Sequence, residues 1–263
     1  MEKKCSLGHK VCAFLSILAL GVSLAAYLGQ KESAVKPVDS TFDEKVKNVV
    51  IDVMRQNPQL LMDAMGEGIA KKREDAIKQL SKDVAEQKTE ISEQSMKFGE
   101  SGSKNVMLCF FDPLCKHCID FQKSMIKIVR AKKDVNFRLI PVAVLGDDSI
   151  TLAKVYLAVY DKSAEKAIAF IEKITATDGE MDKAAIEKAL KDVGLDPKKI
   201  QETMPDVDKK LAANGAIAEK LKIPVVPAVF FIRGSESTMI QATGVDQLLA
   251  VIDGKKLENE EAE

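Results

Sequence analysis

The sequence predicts an α/β domain with a helical insertion, preceded by an N-terminal α-helical region. Three observations carry this. Val106-Met107-Leu108-Cys109-Phe110-Phe111 is a nearly continuous apolar run, the pattern of a strand covered on both faces. A second strand, Val135 to Leu145, follows a helical stretch, and two short strands, Ala228–Arg233 and Met239–Thr243, precede a last helix, Val245–Ile252. Between these groups, from about residue 148 to 221, the pattern is helical, punctuated at Gly179, Gly194-Leu195-Asp196-Pro197 and Pro205. Strand, helix, strand, helical block, hairpin and helix is the order of an α/β domain with an insertion.

From the N-terminus, Lys3, Lys4 and Lys10 precede an uncharged apolar run from Val11 to Leu28. Positive residues before such a run keep the start of the chain in the cytoplasm and send the rest across the membrane. Ser23-Leu24-Ala25 offers a small-residue cleavage site. Residues 1–29 are therefore expected to be a signal peptide, or an anchor held by residues 11–28. Cys5 and Cys12 belong to this segment, and the exported part works where disulfides persist.

Residues 30–40, with Pro37, read as a linker, and residues 41–98 are helical in pattern throughout. Phe42, Val46, Val49, Val50 and Val53 form an apolar stripe at three- and four-residue spacing. Asn57-Pro58 marks a break and restart, with Asn as cap and Pro in the first turn. Leu61, Met65, Ile69, Ile77, Leu80, Val84 and Ile91 continue a thinner stripe. A helix of roughly 40 residues would reach about 60 Å, beyond one small domain. The stripe is expected to meet a second copy, giving a homo-oligomer; the alternative is a solvated helix lying on its own domain. Gly99 to Lys104 is a joint into the α/β domain, residues 99–255, and residues 256–263 form an acidic tail.

Composition narrows the function. The 263 residues are 46% hydrophobic and 30% charged, which suits a buried core. Lys and Arg number 39 against 40 acids. Removing residues 1–30 takes away three bases and one acid, leaving 36 against 39 and a net charge of −3. No basic surplus is left for phosphate contacts, so nucleic acid is not an expected partner. Two histidines, His9 and His117, exclude a multi-histidine metal site. Five cysteines are too few for a disulfide scaffold, yet Cys109, Cys115 and Cys118 fall within ten residues.

Asp112-Pro113-Leu114 ends the first strand and Cys115-Lys116-His117-Cys118 opens a helix. Neighbours at i and i+3 lie about 5–6 Å apart, within reach of a disulfide. Cys115, at the helix N-terminus, meets unpaired N–H groups and the positive end of the dipole, which favour a thiolate. His117 and Lys116 add up to two positive charges beside it. Stabilising the thiolate stabilises the reduced form and makes the disulfide a stronger oxidant. Cys118, deeper in the helix, is the expected resolving thiol. A zinc site would need ligands from Cys5, Cys12 or His9, so no metal or cofactor is expected beyond the Cys115–Cys118 disulfide. Cys109 reads as buried packing. Val226-Pro227, before the strand Val229-Phe230-Phe231-Ile232, suits a cis peptide bond in a tight turn. Its backbone groups would pair with an extended client beside the disulfide.

Strand, F-F-D, C-x-H-C opening a helix, helical insertion and Val226-Pro227 together resemble the DsbA-like branch of the thioredoxin fold over about residues 104–253. GLDPKKIQETMPDVDKKLAANGAIAEKLKIPVVPAVFF is similar to the end of that family's helical domain running into its cis-proline loop. NPQLLMDAM resembles the oligomerising stalk of ScsC-like relatives. By this resemblance Cys115 corresponds to the nucleophile, Cys118 to the resolving cysteine, His117 to the thiolate-stabilising residue and Val226-Pro227 to the substrate-binding loop. Val before the proline and His before the second cysteine resemble the oxidases. Lys116 stands where DsbA has proline, Cys109 where the family often has a buried acid, Val225 for a common glycine and Val229 for a common aromatic.

The resemblance implies a thiol–disulfide oxidoreductase of the bacterial periplasm or cell envelope. It would act on cysteine-containing secreted or envelope clients, chiefly as an oxidase, and be recycled by a membrane redox partner. The alternatives are an oligomeric isomerase or reductase of the same fold, and a non-enzymatic envelope or metal-binding protein.

Overall fold

The computed structural model describes residues 40–255 except 132, 178–180 and 242. The export segment, the linker up to residue 39 and the acidic tail lie outside the described residues. Among the described residues, no helix is long and apolar enough to cross a membrane. The chain divides into two units, Met1–Ile69 and Ala70–Glu263.

In the first unit, α1 (Ser40–Gln56) is followed by the start of α2 (Pro58–Glu86). The restart falls at Asn57-Pro58 as expected, but Asn57 acts backwards. Its Nδ2 and backbone N–H both donate to the Val53 carbonyl, at 2.9 and 3.0 Å, so it closes α1 rather than capping α2. Phe42, Val46, Val49, Val50, Val53, Leu60, Met62, Met65 and Ile69 are 44–67% exposed.

In the second unit, the remainder of α2 leads into α3 (Lys88–Gln94) and β1 (Met96–Gly99). Then come β2 (Asn105–Phe111), α4 (Lys116–Arg130) and β3 (Asn136–Pro141). Five helices follow: α5 (Asp147–Lys162), α6 (Ala164–Thr175), α7 (Lys183–Asp192), α8 (Pro197–Glu202) and α9 (Met204–Lys220). β4 (Ala228–Arg233), β5 (Glu236–Ile240) and α10 (Val245–Ile252) complete it. The sheet order is β1-β3-β2-β4-β5, with only β2 and β3 parallel.

β2 is central, and alternation divides its side chains between two cores. Met107, Cys109 and Phe111 face a cluster that includes Phe121 and Met125 of α4, and Tyr156 and Phe170 of the insertion. Val106, Leu108 and Phe110 face the other cluster, with Leu80, Val84, Ile91, Ile217 and Leu221. Both faces are covered, which is why β2 reads as a continuous apolar run. Leu80, Val84 and Ile91 are thus core residues of their own domain. Their part of the stripe is not available to a second copy.

Three elements differ from expectation. Met96–Phe98, within the stretch read as helical, are β-strand and pair antiparallel with β3. Gly99 ends that strand at φ +88°, where an added Cβ would lie 2.5 Å from the Val135 carbonyl oxygen. β3 stops at Pro141 instead of Leu145, because the N–H groups of Val144 and Leu145 bond to the Asp112 carboxylate. β5 begins at Glu236, since Gly234 (φ +66°) and Ser235 make a two-residue turn that pairs Arg233 with Glu236.

Candidate active site

Three segments converge at the C-terminal end of β2. The first is the turn Asp112–Cys115, closed by Cys115 N–H donating to the Asp112 carbonyl at 3.1 Å. The second is the start of α4, where Cys115 is the N-cap residue and its carbonyl accepts from Ile119 N–H at 2.9 Å. The third is the loop before β4, in which Val226–Pro227 is cis.

Cys115 is half-buried and its Sγ donates to the Val226 carbonyl at 3.6 Å. The structure therefore brings together Cys115, Val226 and Pro227 across 111 residues of chain. Cys118 sits on the inner side of the same turn, fully buried. Both thiols are free. Burial pushes the Cys118 thiol well up, opposed by the Asp112 N–H, which favours its thiolate. Lys116 and His117 occupy the exposed side of the first turn, facing solvent. Cys109 is fully buried in β2, in the same core cluster as Cys118, and burial raises its thiol too. Among the described residues, no group of three His, Cys, Asp or Glu side chains is arranged to hold a metal.

Other polar groups here were given no role from the sequence. Asp112, read as the end of a strand and the last residue of F-F-D, is buried with four hydrogen-bond partners: Leu114 N–H, Val144 N–H, Leu145 N–H and the Ser149 hydroxyl. Gln122, buried one turn beyond Cys118, donates from Nε2 to the Cys118 carbonyl at 3.2 Å and leaves Oε1 without a partner. The Tyr156 hydroxyl is likewise buried and unpaired. Each falls at an apolar-looking position of a helix or at a turn, so periodicity hides it.

A half-exposed thiol on a helix N-terminus, a buried thiol behind it and a proline loop against the first are an arrangement suited to thiol–disulfide exchange, on a thioredoxin-like fold. A thioredoxin family model matches residues 91–254, and the chain belongs to that family. No curated protein matches the sequence. Among solved structures, ScsC from Proteus mirabilis in a transitional conformation has a TM-score of 0.58 at 23% identity, covering 82% of this chain and 98% of that one. The thiol-disulfide exchange protein alpha-DsbA2 from Wolbachia pipientis has a TM-score of 0.57 at 20% identity, covering 67% and 96%. Oxidised BdbD from Bacillus subtilis has a TM-score of 0.52 at 16% identity, covering 62% and 92%. The DsbA-like resemblance, the thioredoxin fold with its helical insertion and the enzyme class are borne out.

Proposed function

We propose that this chain is an exported oxidase that introduces disulfides into cysteine-containing secreted or envelope proteins. The observation that carries the reading is the contrast between the two thiols: Cys115 is open at a helix N-terminus beside the Val226 carbonyl, and Cys118 is closed off behind it. In the oxidised enzyme a client thiolate attacks Cys115 Sγ and the Cys115–Cys118 bond breaks. Its electron pair leaves with Cys118, which takes up a proton. A second client thiolate then attacks the client sulfur of the mixed disulfide, forming the client disulfide and releasing Cys115 as thiolate. Two electrons pass from client to enzyme, and a membrane redox partner must remove them.

His117 and Lys116 lie on the solvent side, where the departing Cys115 thiolate forms and their N–H groups can support it. Val226 and Pro227 supply the main-chain edge for an extended client. Placement in the bacterial periplasm or envelope rests on the leader pattern, with support from a periplasmic thioredoxin-like protein of Salmonella enterica serovar Typhimurium among the structural neighbours. The deciding measurement is the equilibrium of Cys115/Cys118 with glutathione. A potential well above that of thioredoxin, about −270 mV, is expected, and a value close to it removes the oxidase reading. Cys115→Ser should abolish thiol exchange, and full exchange in that variant would end the enzymatic reading altogether.

One observation favours the isomerase alternative. The exposed apolar stripe of α1 and early α2 suits a homo-oligomer, and oligomeric members of this fold include isomerases. Scrambled-substrate refolding by the full exported chain, set beside a chain lacking residues 41–69, separates the two readings.

A further inference from the structure

We infer that Asp112 is the positioning residue of the redox pair, its buried carboxylate locking the turn that presents Cys115 to the loop at Val144–Leu145. The inference rests on the thiol-exchange reading above, but concerns a residue that reading does not use.

Asp112 is 0% exposed, and a carboxylate is tolerated there only when its oxygens are satisfied. Oδ1 accepts from Leu114 N–H at 2.8 Å, inside the turn. Oδ2 accepts from Val144 N–H at 2.8 Å and Leu145 N–H at 3.1 Å, in the loop between β3 and α5, and from the Ser149 hydroxyl at 2.5 Å, in the first turn of α5. One oxygen thus holds the active-site turn and the other holds the entry to the helical insertion. Hydrogen bonds to a charged acceptor are roughly twice as strong as neutral ones, so this tie is stiff.

The main chain of the same residue serves both cysteines. Its carbonyl accepts Cys115 N–H at 3.1 Å, and its N–H lies against Cys118, where it favours the thiolate. The side chain therefore fixes, from behind, the backbone groups that meet the Cys115 amide and the Cys118 thiol. This matters when Cys118 attacks a mixed disulfide on Cys115. It must lose its proton in a buried place, and the Asp112 N–H is a donor already aimed at the charge that forms. A donor held in place costs no rearrangement at that moment.

Asp112→Asn keeps the volume and can keep the bond to Leu114, but it turns an NH2 group towards two N–H donors and releases the Val144–Leu145 loop. The test uses the full exported chain and glutathione as probe. The lifetime of the Cys115–glutathione mixed disulfide is measured by acid quench, and the Cys115/Cys118 equilibrium with glutathione is measured in parallel. In Asp112→Asn the mixed disulfide should persist about tenfold longer, the effect of one lost hydrogen bond to a charged group. Ser149→Ala removes one donor, keeps both loop N–H bonds, and should lengthen it about two- to threefold. This milder variant decides the matter if Asp112→Asn does not fold. Wild-type lifetime and equilibrium in Ser149→Ala, and in any folded Asp112→Asn, would overturn the inference and leave Asp112 a purely structural residue. A wild-type protein that forms no Cys115–glutathione adduct would instead overturn the thiol-exchange reading, and this inference with it.

Discussion

At Cys118, burial and a single main-chain donor pull in opposite directions, and burial wins. The thiol is held neutral well above its ordinary range, as are the Cys109 thiol and the Tyr156 hydroxyl. A group whose folded pKa is raised gives stability that is complete below its unfolded pKa and is lost as pH climbs towards the folded value. For these thiols the loss begins near pH 8.5, and for the tyrosine near about 10. Oxidation removes Cys118 from the titration. The dithiol form should therefore lose denaturation midpoint faster than the disulfide form between about pH 8 and 10. Equal slopes in urea titrations of the two forms would contradict the burial of Cys118. Gln122 makes a second case, since its buried Oε1 has no partner and costs about 1–3 kcal/mol as it stands. Gln122→Met should leave the midpoint unchanged or raise it, and a fall would mean that Oε1 is satisfied after all. Cys115 and Cys118 were legible in the sequence as a candidate pair because their spacing places both on one helical turn. Asp112 and Gln122 were not, because their importance comes from which main-chain atoms they meet.

Among the elements, β2 was legible as a strand and β1 was not, for opposite reasons. β2 has both faces buried, so six consecutive residues, Val106 to Phe111, carry the signal. β1 has four residues, alternates buried and exposed, and follows directly on a helix. A two-period pattern of that length does not stand out against a helical one. What fixes β1 is Gly99, which ends it in a left-handed conformation and passes within van der Waals limits of Val135. Gly99→Ala would add a Cβ that meets backbone in a region that L-residues avoid. A destabilisation of roughly 1–3 kcal/mol is expected, read as a drop in urea midpoint at unchanged slope. A loss below about 0.5 kcal/mol, ordinary for a surface substitution, would show that the backbone there can relax. The Val142–Leu145 stretch is apolar enough to read as strand, yet after Val142, which still bonds to Phe111 of β2, the N–H groups of Val144 and Leu145 go to the Asp112 carboxylate instead of a neighbouring strand.

Over the whole molecule, one apolar periodicity serves two purposes that sequence spacing alone does not separate. Leu80, Val84 and Ile91 repeat at helical spacing and are buried in their own domain. Phe42, Val46, Val49, Val53 and Ile69 repeat in the same way and stay exposed. Contiguous apolar surface beyond a few hundred Å² is uncommon on a monomer and marks an interaction site. A second copy presents the same stripe, and self-matching of this kind is how most oligomers of one chain close. A chain beginning at residue 31 is therefore expected to sediment as an oligomer at high micromolar concentration. Sedimentation as a monomer would remove the self-association reading. Val49→Glu combined with Val53→Glu places two charges on the stripe and should release monomers. The Cys115/Cys118 equilibrium with glutathione should stay unchanged, because neither position belongs to the unit that carries the cysteines. If the double variant loses refolding of scrambled substrates while keeping that equilibrium, oligomerisation serves isomerase activity. If refolding and equilibrium both stay at wild-type values in the monomer, the stripe has no part in the chemistry and the oxidase reading stands on the second unit alone.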